Sequence, residues 1–315
     1  TVVAQVVADA LGLEPGDIVV NTEHDTQKDG WSIAAGNYSS RFAGAVAGTV
    51  YLAAMKVRDK LALIAAEALN VAPDELVFAQ RKIFAASSPE RKLAFHRVAG
   101  NAHWSPATLP PGMEPGLRET VFWTPPQLAA PDEKDVINSS AVYGLVFDIC
   151  GLEVDKVTGK VRIDRYVTLH DAGRILNPAL ADGQSRGGFA QGVGAALMEE
   201  FAYGEDGSFL SGTFADYLVP TTCEVPDPTI LHMATPSPFT PLGTKGIGEG
   251  NNMSTPVCIA NAVADALGVA DIRLPLTPSR IHELLAVAEP EPSGAGIAFR
   301  PGVPARAKGK GGHAL

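Results

Sequence analysis

A glycine-rich segment, Gly243–Gly250 (Gly-Thr-Lys-Gly-Ile-Gly-Glu-Gly), is the feature that most limits what this chain can fold into. Its four glycines surround one acidic residue, Glu249, and a helix is predicted shortly after it, over Thr255–Leu267. Because glycine has no Cβ and tolerates positive φ, such a segment lets the backbone approach a ligand closely. The pattern predicts a ligand loop that holds one acid or base at a helix entrance. A carboxylate that favours the helix dipole, with Lys245 as its ion-pair partner, is the common alternative for a lone glutamate.

The composition of the 315 residues indicates a folded protein and excludes some classes of function. Hydrophobic residues make up 46% and charged residues 19%, which is enough to bury a core. The net charge of −10 argues against a nucleic-acid surface, because such a surface needs a basic face. No apolar run reaches the roughly 18 residues of a membrane span, and no signal peptide opens the chain. We therefore expect no membrane span and no nucleic-acid partner.

The cysteines and histidines show no metal-binding spacing. Cys150, Cys223 and Cys258 lie far apart and form no Cys-x-x-Cys pair, so we expect no iron–sulfur cluster or structural zinc in this chain. The seven histidines include no His-x-x-x-His pair, and no protein ligand to a metal is predicted. Three isolated thiols favour a reducing, cytoplasmic location over a disulfide framework.

Residues 1–135 are predicted to form the first of two subdomains. A helix is expected over 1–12, followed by a turn and a short strand over Asp17–Asn21. Apolar residues at three- and four-residue spacing predict one long helix or two short ones from Ala43 to about Asn70. Seven prolines between Ser105 and Asp135 predict an extended connection with little regular structure.

The second predicted subdomain, residues 136–288, combines strands with helices. Two β-rich runs, 142–154 and 161–169, flank Asp155–Lys160, whose Thr-Gly pair predicts a β-hairpin. The other predicted elements are a helix over 179–200, a strand over 228–235, and helices over 255–267 and 278–286. This mixture gives an α+β (mixed α/β) class. The tail 289–315, rich in Pro, Gly, Ala and Lys, is expected to be flexible or to lie on a partner.

Two further segments combine small residues with isolated polar groups. Gly36–Arg41 precedes a helix, and its hydroxyls, backbone N–H groups and arginine suit a phosphate or another anion. An N-cap with a surface arginine is the alternative. Gly183–Gly192 places glycines inside a predicted helix, at a cost of about 1 kcal/mol each relative to alanine. Gln184 and Gln191 share one helix face and suit a flat heterocycle, and tight helix packing with two satisfied amides is an equal alternative.

Together and in order, these segments resemble the molybdenum hydroxylases, the family of xanthine dehydrogenase, aldehyde oxidase and carbon monoxide dehydrogenase. The resembling blocks are Gly36–Arg41, Asp171–Pro178 with Gly183–Gly192, and the active-site loop Pro241–Glu249 with the following helix Ile259–Leu267. The resemblance is to the C-terminal half of the large, molybdopterin-binding subunit. It covers nearly the whole chain to about Ala286, and it implies that both predicted subdomains belong to a molybdopterin-binding domain.

The resemblance implies roles for individual residues. Glu249 is implied to be the general base beside the molybdenum, which a carboxylate suits when a water-poor site brings its pKa towards neutrality. Gln184 is implied to contact the pterin, and residues 39–42 the pterin and its phosphate tail. The implied cofactor-binding residues are Ser39, Ser40, Arg41, Phe42, Gln184, Gln191, Lys245, Gly246 and Gly248. The implied cofactor is molybdopterin with molybdenum, usually the cytosine dinucleotide form in bacterial relatives.

The start of the chain departs from the family pattern. Thr1 lies where an amphipathic helix already begins, whereas relatives carry a Gly-Gln-Gly pterin contact and the first half of the molybdenum pocket further upstream. We therefore expect one piece of a divided large subunit, as in nicotinate dehydrogenase, completed by a second molybdopterin-binding chain. The other implied partners are an iron–sulfur subunit with [2Fe–2S] clusters and an FAD subunit, which carry the electrons away.

The implied activity is the hydroxylation of a small N-heterocycle or aldehyde, with water as the oxygen source, by a molybdenum-dependent oxidoreductase active only with its partners. A non-catalytic scaffold or assembly paralogue of the same fold is the rival hypothesis, and the presence of Glu249 argues against it. The segment Asn251–Met253 departs from the small residues expected after Glu249, and it is where the pocket is expected to differ.

Overall fold

The structure, a computed structural model, describes residues 1–29, 37–38, 40–125, 127–138, 140 and 142–287. Within these ranges the helices are α1 (Val2–Leu11), α2 (Ala47–Leu69), α3 (Phe95–Trp104), α4 (Pro178–Leu197), α5 (Gly250–Leu267) and α6 (Pro278–Val287). The strands are β1 (Leu76–Ala79), β2 (Lys82–Ala85), β3 (Lys92–Ala94), β4 (Leu145–Val154), β5 (Val161–Asp171) and β6 (Thr229–Met233). This mixture confirms the predicted α+β class. The tail 289–315 lies outside the described residues.

The first sheet packs against α2 and α3 around one hydrophobic core. Strands β1, β2 and β3 are antiparallel and lie in sequence order. Leu61 and Ile64 of α2 meet Phe78, Ile83 and Val98 in this core. The elements between residues 71 and 104 are not predicted from the sequence. The three strands are missed because three or four residues give too few positions for an alternating pattern.

Helix α1 ends as predicted, but the strand expected after it does not form. Gly12 follows the helix in the left-handed conformation. The prediction of a strand over Asp17–Asn21 is wrong: Pro15–Asp17 is a short 3-10 helix, and residues 18–21 pair with no other strand among the described residues. The Asp17 carboxylate accepts a hydrogen bond from the Glu14 N–H (3.0 Å) and pairs with Arg81 (2.7 Å), which holds the turn. β-branched residues favour a strand only where a partner strand is available.

A π-helical turn, Phe42–Val46, continues directly into α2, so the apolar run from Ala43 forms one continuous helix rather than two. Its first turns lie against other parts of the chain. A Cβ added to Gly48 would lie 2.8 Å from the Pro241 ring, and one added to Gly44 would lie 3.4 Å from Trp123. The start of this helix therefore packs closely against the segment that leads to Glu249.

The predicted hairpin is confirmed as β4 and β5, which pair antiparallel across the Asp155–Lys160 turn. Strand β6 pairs parallel to β5, within the range predicted for a strand. Helices α4 and α5 cover one face of this second sheet. Tyr166, Phe189 and Ile259 meet there in a second hydrophobic core. Each predicted subdomain thus contains a core of its own, while the boundary near residue 135 stays a prediction.

Helix α5 begins at Gly250, whereas the sequence predicts a start at Thr255. The later start is expected from Pro256, because proline is common in the first turn of a helix. In the structure Pro256 lies inside α5, and tertiary contacts hold the additional turn before it. Asn251 is buried and hydrogen-bonded to the second sheet, and the Ser254 hydroxyl donates to the Gly250 carbonyl (3.1 Å). Contacts with a distant sheet leave no signal in the local sequence.

Four of the five glycines of α4 have one of two kinds of surroundings. A Cβ added to Gly192 would lie 2.5 Å from the Cβ of Thr255, and one added to Gly188 would lie 3.2 Å from the Cβ of Asn251. A Cβ added to Gly183 or Gly187 would meet no described atom within 4 Å. Tight packing of α4 on α5 therefore accounts for Gly188 and Gly192, and it leaves the other two glycines unexplained.

We expect Gly192→Ala to lower the free energy of unfolding by about 1–3 kcal/mol, because the added methyl group overlaps Thr255. Gly187→Ala, in open space on the same helix, is expected to raise it by about 0.4–1 kcal/mol through helix propensity. Urea unfolding of the chain, followed by circular dichroism, measures both changes. Equal effects of the two substitutions would contradict the assignment of Gly192 to the helix contact.

Candidate cofactor-binding and active site

One cavity of about 310 Å³ is lined by residues of the second and third segments singled out in the sequence and by the residue that directly follows the first. Phe42 follows the first segment, Gln184 belongs to the second on α4, and Lys245 belongs to the third. Apolar side chains form much of the remaining wall, among them Val2, Ile175, Leu176, Leu180 and Ile247. The fold therefore places side chains that are far apart in the chain around a single, largely apolar space.

The loop before α5 is fixed to the start of the long helix by direct contacts. The Thr244 hydroxyl donates to the Ala43 carbonyl (2.8 Å), and the Thr240 hydroxyl donates to the Thr244 carbonyl (3.0 Å). A Cβ added to Gly246 would lie 2.7 Å from the Cβ of Ser40. Only a glycine lets the loop come this close to the first segment. Ser40 and Gly246, both predicted cofactor-binding residues, are therefore neighbours.

The two glutamines of α4 are placed differently. The Gln184 amide donates to the Gly248 carbonyl (3.4 Å), so this side chain joins the helix to the loop at the cavity wall. Gln191 accepts a hydrogen bond from the Asn252 amide (2.6 Å), in the first turn of α5, and is not among the residues that line the cavity. Of the predicted pair, the structure brings only Gln184 to the cavity.

Lys245 is held by Asp171, the last residue of β5. Its ammonium group donates to the Asp171 carboxylate (3.1 Å) and to the Thr235 hydroxyl (2.7 Å). Burial alone raises the pKa of Asp171, but hydrogen bonds from Thr235, Gly173 and Lys245 outweigh it and hold that pKa well below its ordinary value. The alternative in which Lys245 is the ion-pair partner of Glu249 is therefore wrong. Lys245 also lines a second cavity of about 470 Å³.

The arginine expected at the phosphate lies away from the cavity lining. The Arg41 guanidinium stacks over the Tyr38 ring, 4.9 Å from its centroid. Ser39 lies outside the described residues. Arg174, an exposed cation at the cavity wall, is not predicted as a site residue. Its only signal in the sequence is that it is the one cation within Asp171–Pro178.

Glu249 immediately precedes α5 and is exposed. Its carboxylate caps no backbone N–H of the helix, and it forms no hydrogen bond or ion pair with any residue in the described ranges. The helix-capping interpretation of this residue is therefore not supported by a capping bond. The backbone of Glu249 is fixed on both sides, by the loop contacts before it and by α5 after it. Its carboxylate has no hydrogen-bond or ion-pair partner among the described residues.

A buried polar network fixes the first turn of α5 directly behind Glu249. Asn251, 1% exposed, contacts the His170 ring nitrogen through its Oδ1 (2.7 Å) and donates from its amide to the Thr168 hydroxyl (3.0 Å). One turn further along α5, the Tyr166 hydroxyl lies 3.1 Å from the Thr255 hydroxyl and donates to Asp148 (2.6 Å). Fully paired polar groups of this kind define one geometry in a low-dielectric interior.

Burial is the largest influence on the histidine in this network. It lowers the pKa of His170, an effect that the neighbouring His232 ring reinforces and that Asn251 and Asp148 oppose. The imidazole is therefore neutral at pH 7, and its Nε2 donates to the Asn251 oxygen. A protonated ring at this position would place a charge in a buried environment.

We expect the free energy of unfolding to fall as the pH drops below about 6.5, the ordinary pKa of histidine. His170 has a lowered pKa in the folded chain, so the unfolded chain takes up protons first and is favoured at acidic pH. His170→Gln should reduce this dependence between pH 7 and 5, measured by urea unfolding at several pH values. His103→Gln, at an exposed position of α3, is the matched control. An unchanged pH dependence in His170→Gln would contradict the assignment.

Comparisons with known proteins identify the family of the chain. Residues 1–226 match the family model described as the molybdopterin cofactor-binding domain. The large subunit of nicotine 6-hydroxylase from Paenarthrobacter nicotinovorans is 34% identical over 284 residues, which are 89% of this chain and 33% of that subunit. The large chain of carbon monoxide dehydrogenase from Afipia carboxidovorans is 31% identical over 278 residues, which are 87% of this chain and 32% of that chain.

A solved structure shares the fold as well. Quinoline 2-oxidoreductase from Pseudomonas putida 86 superposes with a TM-score of 0.78 at 33% identity, and the match covers 92% of this chain and 35% of that chain. The chain spans about a third of the length of the curated relatives it matches. Because the family model covers well over half of the sequence, the chain belongs to the molybdopterin cofactor-binding domain family of the molybdenum hydroxylases.

Proposed function

We propose that this chain forms part of the molybdopterin-binding large subunit of a molybdenum-dependent oxidoreductase. The observation that carries the proposal is the meeting of Phe42, Gln184 and Lys245 at one cavity, with Glu249 two residues after Ile247 of its wall and without a hydrogen-bond or ion-pair partner among the described residues. A structural role for the 243–250 loop would not require its carboxylate to stay unpaired. The relatives named above are oxidoreductases by name, which supports the same class of activity.

The residues at the cavity fit a flat, polar-edged group with an anionic tail. Phe42 and the apolar wall suit the faces of a ring system, and the Gln184 amide suits its polar edge. Gly246 lies between Lys245 and Ile247, two residues of the same wall, and passes close to Ser40. Arg174 and Lys245 supply positive charge for a phosphate. Bound molybdopterin supplies the molybdenum redox centre, and the cytosine dinucleotide form belongs to the proposal.

Within this proposal Glu249 is the residue that accepts a proton during substrate oxidation. Its backbone is fixed by the loop and by α5, so the carboxylate stays within one side-chain length of a fixed point beside Gly248 and Gly250. Its oxygens form no competing hydrogen bond or ion pair with the described residues, which leaves them available to a reacting group. General-base catalysis of this kind contributes about 10²–10⁴-fold to a rate.

The substrate class and the partners follow from the relatives. Nicotine and quinoline are named in two relatives of 33–34% identity, which supports a small N-heterocycle over an aldehyde. Cys150, Cys223 and Cys258 are free thiols, and within the described ranges no group of acidic, histidine or cysteine side chains is arranged to hold a metal. An iron–sulfur subunit and an FAD subunit therefore carry the electrons, in the cytoplasm.

Glu249→Gln is expected to lower kcat by about 10²–10⁴-fold in the purified complex, because the amide accepts no proton. Molybdenum content should stay at the wild-type level. Steady-state kinetics with an N-heterocycle panel and metal analysis give the two readouts. Glu205→Gln, at an exposed turn position, is the matched control. Wild-type turnover in Glu249→Gln would exclude the proposed role.

Gln184→Leu is expected to lower the molybdopterin content of the complex severalfold, since it removes the one α4 amide at the cavity. Gln191→Leu, at the same face of the same helix, is expected to keep the cofactor, because Gln191 is bonded to Asn252. Released pterin fluorescence and molybdenum analysis measure both. Equal retention in the two variants would show that the cavity does not hold the pterin.

Two further properties of the described residues concern the helices and the exposure of the proposed site residues. In the part of the chain that the structure describes, no helix is long and apolar enough to cross a membrane. Gln184 and Glu249, which carry the proposed contacts, are both exposed.

A further inference from the structure

Asn251 lies two residues after Glu249 and is buried between α5 and the second sheet, with 1% of its surface exposed. Its Oδ1 lies 2.7 Å from the His170 ring nitrogen, and its amide donates to the Thr168 hydroxyl (3.0 Å). The same amide nitrogen lies 3.5 Å from the Asp148 carboxylate. A buried amide that is paired through both its oxygen and its nitrogen has one favourable orientation. These contacts therefore fix the direction of the side chain as well as its depth.

A small apolar residue at this position would not give the same constraint. The sequence pattern leads us to expect a small residue at position 251. Such a residue would leave the His170 ring and the Thr168 hydroxyl with only their mutual contact (3.1 Å) among the side-chain hydrogen bonds of the described residues. Apolar packing has no direction, whereas a hydrogen bond sets both a distance and an angle. The amide therefore adds a directional link between α5 and β5 where the helix begins.

Only one residue separates this link from Glu249. That residue, Gly250, packs directly on the second sheet: an added Cβ would lie 2.7 Å from Cγ2 of Val146 and 3.3 Å from Cε1 of His170. Backbone contact at Gly250 and hydrogen bonds at Asn251 thus hold two consecutive residues of α5 against β4 and β5. The backbone of Glu249 is attached directly to this anchored pair.

The two residues that follow Asn251 have different surroundings. The Asn252 amide donates to Gln191 of α4 (2.6 Å), and its Oδ1 is buried without a hydrogen-bond partner among the described residues. Met253 is 72% exposed. Of the three residues that depart from the pattern expected after Glu249, Asn251 is therefore the one whose side chain is hydrogen-bonded to the second sheet.

We propose that Asn251 is a positioning residue, whose hydrogen bonds to His170 and Thr168 hold the start of α5 and thereby place the Glu249 carboxylate for proton transfer. This inference rests on the function proposed for Glu249. Asn251 is not among the residues that line the cavity, so it acts on the rate through the backbone and not through contact with a bound molecule. Misplacement of a reacting group by about 1 Å can lower a rate by about 10²-fold.

Asn251→Ala in the purified complex is expected to lower kcat by about 10–100-fold, with KM and molybdenum content at the wild-type level. Asn252→Ala, the same substitution at the next position, is the matched control. It should keep the wild-type kcat, because it removes an oxygen that has no described partner and an amide bonded to α4. Steady-state kinetics with an N-heterocycle panel, normalised to bound molybdenum, measures both variants.

Thr168→Val is a second and milder variant, which decides the question if Asn251→Ala does not assemble. It keeps a branched side chain and removes the hydroxyl to which the Asn251 amide donates. We expect kcat to fall severalfold, again without a change in KM or molybdenum content. Wild-type kcat in Thr168→Val and in assembled Asn251→Ala would overturn the proposal.

A combined variant separates positioning from a general loss of structure. In the Glu249→Gln background, Asn251→Ala should lower kcat no further, because the carboxylate that Asn251 positions is already absent. A further loss as large as that caused by Asn251→Ala alone would show that Asn251 acts on the structure in general, and it would reject the positioning role.

Backbone hydrogen exchange gives a readout that needs no turnover. The amides of Ser254 and Thr255 lie in the first hydrogen-bonded turn of α5, so their exchange rates report how firmly the helix start is held. Asn251→Ala should raise these rates by about tenfold, whereas Asn252→Ala should leave them unchanged. Equal rates in the two variants would contradict the anchoring by Asn251.

The proposed function and this inference fail in different experiments. If Glu249→Gln loses turnover while Asn251→Ala keeps the wild-type kcat and exchange rates, Glu249 remains the proton acceptor and the positioning role is rejected. If Glu249→Gln keeps full turnover, its catalytic role is rejected together with the positioning of a base. The exchange rates then decide whether Asn251 holds the start of α5.

Discussion

The anchoring of the first turn of α5 on the second sheet is the constraint on which the site depends. Asn251 is buried between His170 and Thr168, and the backbone at Gly250 leaves no room for a side chain against Val146. A helix N-terminus is normally the part of a helix that frays most easily. Here it is held by buried hydrogen bonds to β5, so the residue before it, Glu249, has a fixed backbone.

The second constraint is the contact between α4 and α5. Gly192 and Gly188 allow the two helices to touch without intervening side chains, and Gln191 adds a hydrogen bond to Asn252. The loop before α5 is fixed independently, through Thr244, to the start of the long helix. Residues of both predicted subdomains therefore line the cavity: Val2, Phe42 and Ala43 from the first, and residues between Ala172 and Ile247 from the second.

Local sequence pattern predicts the long helices and strands, in which the apolar pattern repeats many times. It misses the elements that depend on contacts distant in sequence. The β4–β5 hairpin, the long helix from Ala43 and helix α4 follow from turn chemistry and apolar spacing. The strand predicted at Asp17–Asn21 does not form, because the described residues offer it no partner strand. The early start of α5 is not predicted from the sequence, because contacts with His170 and Thr168 stabilise it. Only the family resemblance predicts that the three segments belong to one site, because the spacing of residues in the sequence gives no distance between loops. The pairing of Lys245 with Asp171 is likewise a tertiary contact.

The direct contact of α4 with α5 has a consequence for how a partner can act on the site. Gln184 lies on α4 and Glu249 immediately precedes α5, and these helices touch at Gly188 and Gly192, so this contact sets the backbone distance between the two residues. Polypeptide that docks beside this pair of helices can alter the outer boundary of the cavity without changing that backbone distance. Under the proposed function, proton transfer and substrate selection therefore belong to different surfaces, and one can change while the other stays constant.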